Sequence, residues 1–157
     1  MGNLSVSQNS KEENSKIKDV ATVNTQEAWE LMQHNPIAVL IDVRTQEEWN
    51  NTGIPDLSSM NKAPLCISWR LFPNMDVNTR FIVEVSNKIN DKNTTLLFLC
   101  RSGMRSHEAA KAMMQKGYVN CYNIGGGVEG IMNMHNRANI AQQSIQGKVV
   151  TWPWEHK

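Results

Sequence analysis

Residues 96–108 read "LLFLCRSGMRSHE": an apolar run ends on Cys100, two arginines and a glycine follow, and a helical pattern begins. A cysteine acts as a nucleophile through its thiolate, and a helix N-terminus with adjacent cations favours that form. Backbone N–H groups of such a loop converge on one point while the positive end of the helix dipole faces it. The same donors would hold an oxyanion delivered to the sulfur. Cys100 is therefore the expected nucleophile, and Arg101, Ser102, Gly103, Met104, Arg105 and Ser106 form the expected substrate-binding loop. Gly103 permits a left-handed or tightly curved backbone. Arg101 and Arg105 offer permanent positive charge to an anionic substrate. Ser102 or Ser106 offers a hydroxyl or a cap for the following helix.

A cysteine closing a buried strand is often no more than a small apolar residue, and two arginines can be a solvated helix start. The combination of strand, cysteine, cationic glycine-bearing loop and helix favours chemistry here. Other candidates read more plainly. Asp42 and Arg44 could support the loop, but a structural ion pair is the simpler expectation. His107 is expected at the surface, since a thiolate prepared by dipole and cations needs no base. Cys66 and Cys121 fall in short apolar runs and read as core residues, with Cys66 as a resolving thiol the lesser alternative. Gly125, Gly126 and Gly127 lack the G-x-G-x-x-G spacing and read as a tight strand-to-helix turn. Trp69, Trp152 and Trp154 read as packing rather than as walls of a site. The histidines at 34, 107, 135 and 156 are scattered, so no metal site is expected.

The elements that must position Cys100 follow from periodicity and caps. Asn24 with Glu27, and Thr45 with Glu48, have the spacing of capping boxes, and predict helices ending before Pro36 and at Gly53. "IAVLI" (37–41) and "TTLLFL" (94–99) predict strands buried on both faces, and "VNCYNI" predicts a third. Phe81, Ile82, Val85 and Ile89 share one helical face. "SHEAAKAMMQKG" predicts a helix closed by Gly117, and "GGGVEG" opens another running to about Met134. The segment from Ile54 to Met75 carries three prolines and predicts loop, with a short strand around "LCIS". Strands alternating with helices predict a parallel sheet covered on both faces. The two tryptophans of "TWPWEHK" are expected to dock on the body.

The composition suits one domain. The chain has 157 residues, 40% hydrophobic and 20% charged, enough for one core and too few for two. Residues 1–19 are polar and rich in Ser and Asn, which predicts a disordered tail ahead of a domain over 20–157. A net charge of +1 offers no general attraction for nucleic acid or an anionic membrane. No apolar run reaches the roughly 20 residues needed to span a bilayer, and Val6 stands where N-myristoylation wants Ser or Thr. Three widely spaced cysteines fit neither a disulfide framework nor a C-x-x-C site, and point to a reducing, cytoplasmic setting.

Arg105 lies five residues after Cys100, a C-x4-R loop. Cysteine phosphatases share the layout with a longer C-x5-R loop, whereas "CRSGMRS" closely resembles the active-site loop of rhodanese-type sulfurtransferases. "LIDVRTQEEW" resembles that family's Asp-Val-Arg strand end and short helix, here Asp42, Arg44, Glu48 and Trp49. "YNIGGGVEGI" and "WPWE" resemble its late strand, double glycine and closing segment. The stretch "TGIPDL" lacks the family's usual Gly-His-Ile, and "SSMNKAPL" looks like an expansion.

The resemblance implies a rhodanese-like three-layer α/β fold with a central, mostly parallel sheet and helices on both faces. It implies transfer of sulfane sulfur from thiosulfate, or a related small anionic donor, through a Cys100 persulfide. The implied acceptor is cyanide in an assay and a thiol or sulfur-relay protein in the cell, with no cofactor, nucleic acid or membrane partner. The alternatives are a phosphatase or arsenate reductase of the related fold, and a non-catalytic module that binds a partner or senses redox state.

Overall fold

The computed structural model describes residues 19–133, 135 and 152–156. The expected tail thus lies, but for Asp19, outside the described residues, as do residue 134 and residues 146–151 of the closing segment. The chain opens with β1 (Ala21–Val23), α1 (Thr25–His34), β2 (Val39–Asp42), α2 (Gln46–Thr52) and β3 (Ile54–Pro55). A 3-10 turn (Ser58–Met60) leads to β4 (Leu65–Cys66), β5 (Arg70–Leu71), β6 (Asp76–Val77) and α3 (Phe81–Lys88). Then come β7 (Leu96–Leu99), α4 (Met104–Gln115), β8 (Cys121–Ile124), a helix α5 over 127–133, and β9 (Trp154–Glu155).

Both capping boxes form. The Asn24 side chain accepts from Glu27 N at 2.8 Å while Glu27 returns a bond to Asn24 N at 2.9 Å, and Thr45 and Glu48 do the same for α2. Such reciprocal pairs satisfy donors that a helix start leaves unpaired. The strand expected over 37–41 begins two residues later. Ala38 N–H bonds Asn35 C=O and Ile37 N–H bonds the Asn35 side chain, so a turn around Pro36 consumes those residues and leaves Ile37 exposed.

Five strands form one parallel sheet in the order β1-β8-β7-β2-β4. Alternation along β7 builds both sides of it. Leu96 and Phe98 enter one cluster with Phe81, Val85 and Met113, while Leu97 and Leu99 enter another with Trp29, Met32 and Trp152. Helices α3 and α4 cover the first face and α1 and α5 the second, the three layers expected. All four β7 side chains are fully buried, worth roughly 1.5–3 kcal/mol each. The strand that ends at Cys100 is consequently the most firmly held place from which to project a residue.

The segment expected as loop contains an antiparallel hairpin, β5 with β6, pairing Arg70 with Val77 and Leu71 with Asp76. Two-residue strands carry too little periodicity to be read from sequence. The closing tryptophans dock as expected: Trp152 is fully buried 5.6 Å from Trp29 and donates to Thr25 C=O, and β9 pairs with β3. Among the described residues no helix is long and apolar enough to cross a membrane.

Candidate active site

Cys100 stands immediately after β7, at the carboxyl edge of the sheet, where parallel α/β folds bind ligands. Its loop is gripped from the far side by α5. Val128 N–H donates to Cys100 C=O at 2.9 Å and Glu129 N–H to Arg101 C=O at 3.0 Å. Gly127, with φ 55°, makes that approach possible, since a Cβ there would lie 2.3 Å from the Cys100 carbonyl oxygen. The three glycines are thus the tight turn expected. Its physical reason is contact with the cysteine loop.

With its carbonyls turned toward α5, the loop turns an N–H inward. Gly103, at φ 108°, donates its N–H to Cys100 Sγ at 3.1 Å, and this left-handed conformation is one that a side chain resists. Gly103 also occupies the N-cap of α4, which starts at Met104, two residues earlier than expected. Neither serine caps it. Ser102 is exposed, and Ser106 is fully buried within the first turn, its Oγ 3.1 Å from Cys100 Sγ and donating to Asn123 Oδ1 at 2.6 Å. Asn123 Nδ2 donates back to Gly103 C=O at 3.1 Å, so four residues close a ring around the sulfur.

The two arginines differ in their surroundings. Arg105 is bound to Glu48 through both terminal nitrogens, at 2.6 and 2.9 Å, and is largely buried. The Glu48 hydrogen bond raises the Arg105 pKa against the effect of its own burial, with smaller contributions from the charges of Glu48, Cys100 and Asp42. Burial pushes the Glu48 carboxyl up, but Arg105 and the Thr45 backbone and hydroxyl together hold it below the usual carboxylate range. Arg105 is therefore a braced cation, not one open to the first anion that arrives. Arg101 is the open one, its side chain 71% exposed and paired loosely with Glu129 at 3.2 Å.

Asp42 and Arg44 form the structural ion pair expected of them. Arg44 donates to both Asp42 oxygens, to Thr52 Oγ1 and to Gly53 C=O, and neither side chain is exposed beyond 2%. Trp154 lies over the guanidinium at 5.6 Å. This pair ties the chain just after β2 to the C-terminal end of α2, the helix that carries Glu48. A cavity of about 500 Å³ beside the loop is lined by Arg44, Glu48, Thr52, Arg101, Glu129 and Met132.

The remaining candidates lie apart from the sulfur. Met104 is exposed at the loop rim, and His107 is part-exposed, 3.4 Å from Asp19. Trp69 packs on Phe81 and bonds Glu108. Cys121 is a core residue whose thiol burial pushes up to about 12. Cys66 ends β4, with β2 between it and β7, and two strand spacings are about 9–10 Å, beyond the Cα separation a disulfide bridges. Among the described residues no three His, Cys, Asp or Glu are grouped to hold a metal ion. Sequence reasoning missed Asn123, Glu129 and the loop-bracing role of Glu48. Asn123 did carry a signal, as a polar residue inside the otherwise apolar run "CYNI".

A parallel three-layer sheet presenting one cysteine on a short cationic loop defines a class of proteins. The model of the STR4 middle domain, a rhodanese-like family, matches residues 20–140. An uncharacterised protein of Rickettsia conorii is 42% identical over 111 residues, covering 71% of this chain and 85% of its own. The rhodanese-like domain-containing protein 17 of Arabidopsis thaliana is 29% identical over 128 residues, 81% of this chain and 78% of its own. The crystal structure of Rv0390 from M. tuberculosis superposes with a TM-score of 0.64 at 35% identity, over 69% of this chain and 80% of that one. The polysulfide-sulfur transferase homodimer of Wolinella succinogenes shares the fold, with a TM-score of 0.58 at 22% identity over 82% and 85% of the two chains. The chain belongs to the rhodanese-like family.

Proposed function

We propose that this protein is a sulfurtransferase that carries sulfane sulfur as a Cys100 persulfide. The observation that carries the reading is the sulfur's own environment. At the end of a buried strand, Sγ receives the Gly103 N–H and lies against the Ser106 hydroxyl, with the braced Arg105 cation beside it. The N–H and the cation stabilise negative charge on a sulfur atom, and the hydroxyl does so once its hydrogen is turned to the sulfur.

In the first half-reaction the Cys100 thiolate attacks the outer sulfur of a small anionic donor. With thiosulfate, the donor's S–S bond breaks, sulfite leaves with the electron pair, and Cys100 holds the sulfur. In the second, a thiolate or cyanide attacks that outer sulfur, the Cys100–sulfur bond breaks, and the Cys100 thiolate is restored. No electron is gained or lost overall, so the cycle calls for no redox cofactor. The name of the Wolinella relative makes polysulfide a second donor worth including, and a thiol or sulfur-relay protein in a reducing cytoplasm is the cellular acceptor. Phosphoryl transfer fits less well, because Glu48 already occupies the Arg105 fork that would clasp a phosphate.

The test is intact-protein mass spectrometry of the reduced protein after brief exposure to thiosulfate or polysulfide, beside Cys100→Ser. Gain of one sulfur by the parent alone, removed by cyanide or a small thiol, is expected. A parent that gains none from either donor while Cys100 is reduced and alkylatable overturns the reading.

A further inference from the structure

We propose that Asn123 is a positioning residue that sets the direction of the Ser106 hydroxyl, and through it how tightly Cys100 holds its proton. The inference concerns the site of the sulfurtransferase reading and rests on Cys100 being its reactive sulfur.

With Cys100 as the thiol, the hydrogens around the ring follow from what each group can give and accept. The Gly103 carbonyl can only accept, so the Asn123 group 3.1 Å from it is the amide nitrogen and the group facing Ser106 is the oxygen. That oxygen also only accepts. The single hydrogen of the Ser106 hydroxyl, 2.6 Å away, is therefore spent on Asn123. Ser106 then faces Cys100 with lone pairs, and the 3.1 Å contact is a thiol S–H donating to Ser106 Oγ. Flipping the Asn123 amide would set its oxygen against the Gly103 carbonyl, so the backbone locks the direction of the whole ring.

The ring as it stands suits a protonated sulfur. When the S–H bond breaks, the electron pair stays on sulfur and the proton passes to water. Sulfur is now an acceptor. The Ser106 hydrogen must rotate to it, and Asn123 Oδ1, on a residue only 5% exposed, loses that donor. A buried acceptor left unpaired is costly. Asn123 thus opposes thiolate formation through Ser106, while Gly103 N–H supports it directly. The charged group coupled to this sulfur is Arg105 of α4, which pairs with Glu48 of α2 and also feels the charge of Asp42, itself paired with Arg44 after β2. Arg101 and Glu129 pair at the loop and α5, and His107 pairs with Asp19. None of these charges is altered by changing residue 123, but the change also frees the Gly103 carbonyl, and the Ser106→Ala background separates that effect from the hydroxyl's.

The experiment follows alkylation of Cys100 by iodoacetamide against pH, read on the Cys100 peptide so that Cys66 does not contribute. In Asn123→Ala the hydroxyl hydrogen is released to the sulfur, and the midpoint moves to lower pH. Alkylation at neutral pH rises about three-fold, the equivalent of about half a pH unit. In a Ser106→Ala background the same substitution leaves the midpoint in place. An unchanged midpoint, an alkaline shift, or an equal shift without Ser106 overturns the proposal, and a merely loosened loop raises the plateau instead. Should Asn123→Ala fail to fold, the parent chain still decides. The Asn123 side-chain amide resonance is expected to follow the Cys100 titration in the parent and to stop following it in Ser106→Ala; a resonance that ignores the titration in the parent overturns the proposal. Alkylation needs no sulfur donor, so failure here is distinct from failure of sulfur transfer.

Discussion

Cys121 on β8 and Cys100 just past the end of the adjacent β7 lie in the same cluster of buried side chains, exposed to 4% and 1%. Burial alone would make them equivalent. Cys121 begins β8, beside Leu96, and among the described residues its thiol makes a 3.6 Å approach to Tyr118 C=O, an acceptor that does nothing for a thiolate. Cys100 follows the other end of β7, where the loop supplies a backbone N–H, a hydroxyl and a nearby cation. One strand length, roughly 13 Å, separates a thiol pushed up to about 12 by its surroundings from one surrounded by groups suited to sulfur chemistry. The end of the strand matters more than depth in the core, because helix starts and open N–H groups collect at one edge of a parallel sheet.

The largest test of this contrast exchanges each sulfur in turn. Cys100→Ser is expected to lower sulfur transfer at least about a thousand-fold, with the folded state retained, as read by turnover and by thermal unfolding. If activity survives that change, Cys100 is no different in kind from Cys121. Next in size is Arg44→Ala, which strands the Asp42 carboxylate in the core and is expected to cost about 3–5 kcal/mol in chemical denaturation. Asp42→Asn in the same background should recover part of that loss.

Glu48→Gln removes the brace on Arg105 and should cost about 1–3 kcal/mol at neutral pH. The pH dependence has a definite sign. The folded Glu48 pKa is depressed below the ordinary 4.5, so its contribution is present above that value and is lost as pH falls through the lower folded value. The Gln variant should accordingly show a flatter acid limb than the parent, and parallel limbs would mean the brace contributes nothing. The smallest effect is expected of Cys121→Ala. It should leave turnover within about two-fold and cost on the order of 1 kcal/mol through a small cavity, and in the parent Cys121 should resist alkylation under conditions that modify Cys100.

Much of this site was legible because its parts are contiguous. Strand, cysteine, glycine and helix lie within 96–115, and the elements follow local rules of periodicity or backbone freedom. The same holds for Asn24 and Thr45, whose partners sit three residues away. The bracing of Arg105 was not legible because its partner, Glu48, lies 57 residues earlier. Glu48 was visible as a capping residue, and nothing local shows that one carboxylate serves a helix start and a distant guanidinium together. Of the two roles open to the serines, a hydroxyl donor or a cap, the cap is not taken for a related reason. The helix begins on the left-handed Gly103, which moves Ser106 from the cap into the first turn and turns its hydroxyl toward the core.

The amino-acid sequence by itself determined the main strands and helices, the candidate cysteine and the parallel sheet, since hydrophobic period, caps and loop length act over a few residues. Only the tertiary structure decided which charges stay open and which are already paired, where the sulfur's hydrogens point, and that Gly127 serves Cys100. Those are properties of groups brought together across 17 to 57 residues of chain, and a hydrogen bond or ion pair depends on distance and direction in space, which spacing along the chain does not encode.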